Sequence, residues 1–419
     1  MLEDELDSLV RVDEGAVSRR IFADRGIYEL EQERIFGRCW LYLAHDSQLR
    51  RAGDYLTAYM GEDPVILVRG DDGEIRAFLN MCRHRGTKLC VRESGNSRFF
   101  TCPYHGWTYD AEGRLTGVPL EKTAYPNLDK REWGLIRVPR LVNYKGMLWG
   151  NWDPGAPSFE DYLGEMKFYL DLFLDRFEGN MRIYGGVHRW IIPVNWKIPS
   201  ENFIGDSYHA LFTHRSAVEI NLRKPYSPND FEVSTRNGHG FGAQVGGTGR
   251  GVEASEEYKR VLWESIERLA NREGNFVRDI SPLGHFHIFP NFSMLDLWPY
   301  TFIRVWHPRG PDRTEVWSWL VVDDRVSHEE RRKIARKFEL EFGPGGVFEQ
   351  DDAEVWYRIS ETLRGPVGRK VMLNYQGGLG AEREARDVFG GRASGTLGAP
   401  FGESNQRAFY RRWLELMRG

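Results

Sequence analysis

Two short runs of the chain set a thiol beside an imidazole: Cys82-Arg83-His84 and, after residues 85–101, Cys102-Pro103-Tyr104-His105. Two thiolates and two imidazoles arriving on two short loops are the ligand set of a Rieske 2Fe-2S cluster, in which His replaces Cys on one of the two irons. Cys82 and Cys102 would hold one iron, His84 and His105 the other. Neutral imidazoles lower the cluster's negative charge and raise its potential, which suits it to accept an electron from a ferredoxin or reductase. Each ring keeps its second nitrogen for an outward hydrogen bond. A structural zinc site also takes two Cys and two His, but zinc fingers usually pair Cys with Cys and His with His, whereas each loop here carries one of each. Trp107, Tyr104 and Phe100 are expected to shield the cluster; Cys39 and Cys90 lack a partner pattern and read as small buried side chains.

A second constellation follows in Glu201-Asn202-Phe203-Ile204-Gly205-Asp206-Ser207-Tyr208-His209, with His214 five residues on. On a helix, Asp206 and His209 lie about 60° apart, but His209 and His214 about 140° apart. A straight helix would not aim both His at one ion, so His214 is expected at or beyond a helix end, or past a distortion. Two His and one carboxylate form the facial triad of non-haem Fe(II) oxygenases, which leaves positions open for O2. The carboxylate must come from elsewhere. The candidate run is Gln350-Asp351-Asp352-Ala353-Glu354, at the start of a helix expected over 351–363. Acidic residues there also cap amides and favour the helix dipole, and the pattern does not choose among them.

Elements must bring these groups together. From Trp40 to about Trp152, short β-prone runs such as Val65-Ile66-Leu67-Val68 alternate with turn signals such as Asp72-Gly73, the texture of a small all-β domain. Pro154 and Pro157 mark its end, and an amphipathic helix is expected over 159–177. Strands are expected over 187–194, 285–292, 302–306 and 316–322, and helices over 328–342, 351–363 and 405–417. The Gly-rich stretch 237–251 reads as a loop. The expected fold is α+β: an all-β Rieske domain, 38–157, inserted into a catalytic domain, 1–37 and 158–419, with an antiparallel sheet flanked by helices.

Composition excludes other classes. The chain has 419 residues, 13% of them aromatic, too rich in rings for a disordered protein. Lys plus Arg number 57 against 61 Asp plus Glu, a net charge of −4, which argues against nucleic-acid or anionic-membrane partners. The acidic start lacks a signal-peptide apolar segment and no apolar run approaches the ~20 residues of a membrane span, so a cytoplasmic protein is expected. No G-x-G-x-x-G, Gly-Lys or G-x-S-x-G occurs, so electrons must come from a separate protein. The basic run Arg331 to Lys337 reads as the solvated face of a helix.

Taken together, the Cys/His pairs, the run from Asn202 through Asp206 and His209 to His214, and Phe342-Gly343-Pro344 with Gln350-Asp351-Asp352 resemble the large (alpha) subunit of aromatic ring-hydroxylating dioxygenases. The resemblance covers essentially the whole chain in the same order. It implies Asp352, rather than Asp351, as the third ligand of a mononuclear Fe(II), and Asp206 as a bridging aspartate between the metal sites. It places Asn202, Phe203, Ala210, Phe342 and Phe348 in the substrate pocket, with 291–297 as a further pocket strand followed by the bulky Leu297-Trp298-Pro299-Tyr300. The implied activity is cis-dihydroxylation of an aromatic ring with O2 and electrons from NADH, relayed by a reductase and a ferredoxin. A homotrimer is implied, with a small beta subunit in an α3β3 complex. Rieske monooxygenation (hydroxylation or O- or N-demethylation) is the alternative; a pure electron carrier would leave the second ligand set unused.

Overall fold

The computed structural model describes all residues except 1, 221–230, 244–253, 281–283, 298, 388 and 390. It divides into two units, one of residues 36–156 and one of 1–35 with 157–419. Among the described residues, no helix is long and apolar enough to cross a membrane.

The 36–156 unit is built of short antiparallel sheets. Four strands run in the order Ile75–Leu79, Asp63–Arg69, Asp54–Met60, Ser94–Asn96. Val65 to Val68 are buried without alternation because this strand is covered on both faces. A second sheet joins Arg140–Tyr144, Met147–Asn151 and Leu41–His45, and a third joins Leu115–Gly117, Thr108–Asp110 and Phe99–Thr101.

Among the described residues, the larger unit is organised by nine antiparallel strands: β1 (Met181–Ile192), β2 (Phe231–Ser234), β3 (Gly240–Ala243), β4 (His285–Ile288), β5 (Phe292–Leu297), β6 (Tyr300–Pro308), β7 (Thr314–Asp323), β8 (Arg383–Glu384) and β9 (Thr396–Leu397). Their spatial order is β1-β7-β6-β5-β4-β3-β2-β9-β8. Every residue of β6 is buried. Six helices matter for the site: α1 (Met166–Asp175), α2 (Lys197–Phe203), α3 (Glu256–Glu273), α4 (His328–Phe342), α5 (Val347–Glu361) and α6 (Ser404–Arg418). Helix α2 lies against β4 and β5, α4 against β6 and β7, and α6 against β2 and β3.

Several sequence expectations are corrected. The helix expected over 159–177 is two, Phe159–Leu163 and α1, separated at Gly164. The strand expected over 285–292 is the hairpin β4-β5, because Pro290 cannot donate to a ladder and sits in the turn. The helix expected over 351–363 begins earlier, at Val347, so Asp351 and Asp352 lie inside it rather than at its cap. The 18-residue α3 was not anticipated. In α4 the basic run does face outward, with Ile334 and Phe338 buried beneath it. Of the Gly-rich stretch expected to be a loop, Gly240–Ala243 is instead strand β3, and 244–251 lie outside the described residues, as does Trp298.

Helix α2 is anchored by a buried polar knot. The Lys197 ammonium is 2.5 Å from Glu31, both fully buried, and the indoles of Trp196 and Trp413 donate to the same carboxylate at 2.8 and 2.7 Å. A buried ion pair offsets its desolvation only when its remaining hydrogen bonds are made, and here two Trp N–H groups make them. This holds α2 against α6 and the N-terminal segment, directly before the chain that carries Asp206, His209 and His214.

Candidate metal centres

The two Cys/His loops share one backbone design. Cys82 N–H donates to Thr87 O at 2.9 Å and Gly86 N–H to Cys82 O at 2.9 Å; Cys102 N–H donates to Trp107 O at 2.8 Å and Gly106 N–H to Cys102 O at 3.0 Å. Gly86 and Gly106 sit at φ 74° and 72°, the left-handed turn that closes each loop. Both cysteines are buried and unbridged, within a cluster that includes Phe100, Trp107 and Tyr109. Tyr109 Oη lies 3.5 Å from Cys82 Sγ and accepts a hydrogen bond from Arg83 N–H at 3.0 Å.

The imidazoles of His84 and His105 are 4.5 Å apart, centroid to centroid. Trp107 stacks on His84 at 5.0 Å, and Tyr104, although largely exposed, lies 3.7 Å over His105. Thus Trp107 and Phe100 are buried as expected of shields, whereas Tyr104 covers one imidazole from the solvent side. Tyr125 Oη is 3.0 Å from His84 Nε2. The Nδ1 atoms of both His are buried and find no hydrogen-bond partner among the described residues. Two unpaired ring nitrogens beside two buried thiols fit a bound 2Fe-2S cluster, since a buried polar atom without a partner is costly unless something else meets it. Burial, His105 and Arg85 all lower the pKa of His84, favouring the neutral form a metal requires. Cys39 is buried elsewhere in this unit, whereas Cys90 is buried in the same core cluster as Cys82 and Cys102.

The second constellation departs from a helix, which is why both His reach one point. Helix α2 stops at Phe203, and Gly205 adopts φ 137°, where a Cβ would stand 2.7 Å from Asn405 Nδ2. His209 opens a short 3-10 turn, His209–Leu211, and His214 is the N-cap of Arg215–Glu219. Asp352 comes from the second turn of α5. Its Oδ1 lies 3.4 Å from His209 Nε2 and 3.2 Å from His214 Nε2. Ligand atoms each ~2.1 Å from one ion at right angles would be ~3 Å apart, so this spacing suits a shared metal. Asp352 Oδ1 is buried and makes no well-formed hydrogen bond among the described residues, a second sign of fit.

The other ring nitrogens are also engaged. His209 Nδ1 donates to the main-chain oxygen of Asp206, with the Asp206 carboxylate at 3.4 Å, and His214 Nδ1 is 3.3 Å from Asp351 Oδ2. The main-chain carbonyl of Asp206 is thus a nearer partner of His209 Nδ1 than the Asp206 carboxylate. Asp206 Oδ1 instead accepts from His209 N–H at 3.1 Å. Electrostatically the site favours a cation: against burial, which lowers it, the Asp206 and Asp352 carboxylates push His209 up to about 10. Asp352 is held well below the usual carboxylate range by the two His in spite of its burial.

A cavity of about 400 Å³ is lined by Asn202, Asp206, His209 and Asp352, with Trp356 and Glu201 among its other walls. Ala210 is buried directly after His209. Phe348 meets His214 edge-on at 5.1 Å and stacks on Phe342 at 5.1 Å; Phe302 continues the chain to Phe342 at 4.9 Å and to Phe203 at 6.5 Å. The predicted aromatic residues therefore form a continuous chain of ring contacts leading from His214, but of the predicted pocket residues Asn202 lines the cavity, whereas Phe203, Ala210, Phe342 and Phe348 are buried outside its lining. Sequence reasoning missed Phe302 and Trp306, which packs on Phe203 at 4.9 Å, as well as Trp356. Trp356 was accessible to it: four residues after Asp352, it shares that helix face.

Comparison with known proteins agrees with this geometry. Residues 39–138 match the Rieske [2Fe-2S] domain, and residues 159–419 the ring hydroxylating alpha subunit (catalytic domain). The chlorobenzene dioxygenase subunit alpha of Cupriavidus sp. (strain PS12) is 40% identical, covering 99% of this chain and 93% of that one. The biphenyl 2,3-dioxygenase subunit alpha of Rhodococcus jostii (strain RHA1) is 39% identical over 99% and 91%. The crystal structure of naphthalene 1,2-dioxygenase from Rhodococcus sp. bound to indole superposes with a TM-score of 0.88 at 36% identity, covering 99% of this chain and 98% of that one.

Proposed function

The chain belongs to the family of Rieske ring-hydroxylating oxygenase alpha subunits, and from this premise we propose that it adds both atoms of O2 to an aromatic ring, giving a cis-dihydrodiol. The observation that carries the reading is the presence, in one chain, of the paired Cys/His loops and of a His209, His214 and Asp352 triad within 4.8 Å. When bound, the cluster at Cys82, His84, Cys102 and His105 supplies single electrons and the Fe(II) at the triad supplies open positions for O2.

The protein's own residues do the rest. Asp206 and Asp351 fix the ring orientations of His209 and His214 through their Nδ1 atoms. Phe342, Phe348 and Phe203 offer an apolar wall for a planar ring, and Asn202 a polar edge of the adjoining cavity. No nucleotide-binding motif occurs, so NADH acts through a reductase and a ferredoxin. We further place this cytoplasmic subunit in a homotrimer with a small beta subunit, where the Asp206 carboxylate accepts a hydrogen bond from His105 of the partner subunit. The test supplies the holoenzyme with a reductase, a ferredoxin and labelled O2 over a panel of mono-, bi- and polycyclic arenes. Two labelled oxygens in one product support dioxygenation, one supports monooxygenation, and an iron content of roughly two rather than three per chain would support an electron carrier.

A further inference from the structure

Glu201, in the last turn of α2, faces two phenols. Its Oε2 accepts hydrogen bonds from Tyr375 Oη at 2.8 Å and from Tyr410 Oη, and the two rings meet edge-on at 5.4 Å. Both tyrosines are buried, and they come from distant parts of the chain, Tyr410 from α6 and Tyr375 from the segment after the Met372–Asn374 strand. Glu201 and Tyr375 line the same cavity as Asp206, His209 and Asp352. A carboxyl group is an expensive way to satisfy two buried hydroxyls, which a backbone carbonyl would do without a charge to desolvate. Its place in the wall of the cavity that carries His209 and Asp352 suggests a use.

Dihydroxylation consumes one arene, one O2, two electrons and two protons, and an electron donor of the ferredoxin type brings no protons. We propose that Glu201, held by Tyr375 and Tyr410, delivers one of these protons to the cavity beside His209 and Asp352. The proposal rests on the oxygenase reading above. Glu201 loses the proton as glutamate, the two phenols stabilise that anion through hydrogen bonds to Oε2, and water reloads it; the second proton comes from solvent.

The charges around Glu201 fit the task. Burial pushes its pKa up, Tyr410 and Tyr375 pull it down, and Asp206 and Glu403 push it up again, to about 7 in all. Lys197, one turn earlier on α2, also faces it and is neutralised by Glu31, while Arg19 faces Tyr375. Both phenols are pushed well above the usual tyrosine range, so they remain donors while Glu201 titrates. A group poised near neutrality can both give and regain a proton.

The experiment compares wild-type holoenzyme with Glu201→Gln and Tyr375→Phe, each checked for iron content and visible cluster spectrum. Reduced enzyme is mixed with O2 and an accepted arene, and diol formation in one turnover is followed against pH. The wild-type rate is expected to fall as pH rises through about 7. Glu201→Gln should be slower by ~10²-fold or more and lose that pH dependence; Tyr375→Phe, lacking one donor to the anion, should shift the fall to higher pH. Independently of turnover, infrared spectra should show a carboxylic-acid band that disappears over the same pH range and is absent from Glu201→Gln. A Glu201→Gln enzyme with wild-type rate and pH profile, or the absence of such a band, overturns the proposal while leaving dioxygenation intact. A wild-type enzyme that makes no diol from any arene overturns the oxygenase reading and the proton delivery with it.

Discussion

At His214 the two ring nitrogens face two different aspartates: Nε2 is 3.2 Å from Asp352 and Nδ1 is 3.3 Å from Asp351. Asp352→Ala should therefore lose the mononuclear iron but keep the cluster spectrum, whereas Asp351→Ala should still bind iron, ~10–100-fold more weakly, because only the ring's orienting partner is gone. Iron titration of the two variants checks this; equal loss in both would reassign the ligand. From sequence alone the pair could not be separated without the family resemblance, since helix phase relative to a histidine some 140 residues away is set by tertiary packing. A second residue-scale prediction concerns Glu232, which is buried and accepts from the Ser207 hydroxyl at 2.7 Å. Burial pushes its pKa up to about 8. A carboxyl whose folded pKa is raised contributes stability that is complete below its unfolded value of 4.5 and is lost as pH rises to about 8. Glu232→Gln should flatten that loss, changing relative stability between those limits by a few kcal/mol, roughly; urea midpoints measured across the range would show it, and parallel curves for variant and wild type would contradict it.

One side chain ties two helices to the sheet. Arg304 of β6 pairs with Glu349 in the first turn of α5 at 2.6 Å and donates to the carbonyl of Phe342, the last residue of α4, at 3.0 Å. Both charges are fully buried. The tie sets where Phe342, Phe348 and Asp352 stand. Arg304→Leu, which strands Glu349, should cost ~3–5 kcal/mol, and adding Glu349→Leu should restore much of it; a denaturation series on the two variants would test this, and a double variant no more stable than the single would contradict it. Nothing in a lone Arg within Phe302-Ile303-Arg304-Val305-Trp306 marks it as central, because its partner is remote in sequence. Helix α4, by contrast, was readable end to end from Ser327 at its N-cap and Ile334, Phe338 and Phe342 at helical spacing. Helix α3 carried the same signals, Ser255 as cap and Val261, Leu262, Ile266 and Leu269 on one face, but its mean polarity and Gly-rich approach obscured them.

At the scale of the molecule, Pro154 and Pro157 were read as the end of the β-rich part because proline halts regular pairing; the two compact units divide between Ala156 and Pro157. The order of the nine-stranded sheet was beyond reach: β1 pairs with β7 across more than a hundred residues, and no local pattern encodes such a partner. The proposed trimer makes a prediction of its own. If electrons pass from the cluster of one subunit to the iron of the next, mixed assemblies of inactive His84→Ala and inactive Asp352→Ala chains should recover part of the activity. Verified mixed trimers without recovery would rule the arrangement out.

The two cluster loops, so alike in backbone, are unequal as raw material for selection. At Gly86 an added methyl group would find only Met81 Sδ, at 3.9 Å, whereas at Gly106 it would strike Pro119 Cγ at 2.9 Å. Alanine at the first position carries only the ~1–2 kcal/mol of a left-handed backbone; at the second it also displaces a proline that has little freedom to yield. Under random mutagenesis with selection for an intact cluster spectrum, small side chains should therefore be recovered at Gly86 and not at Gly106.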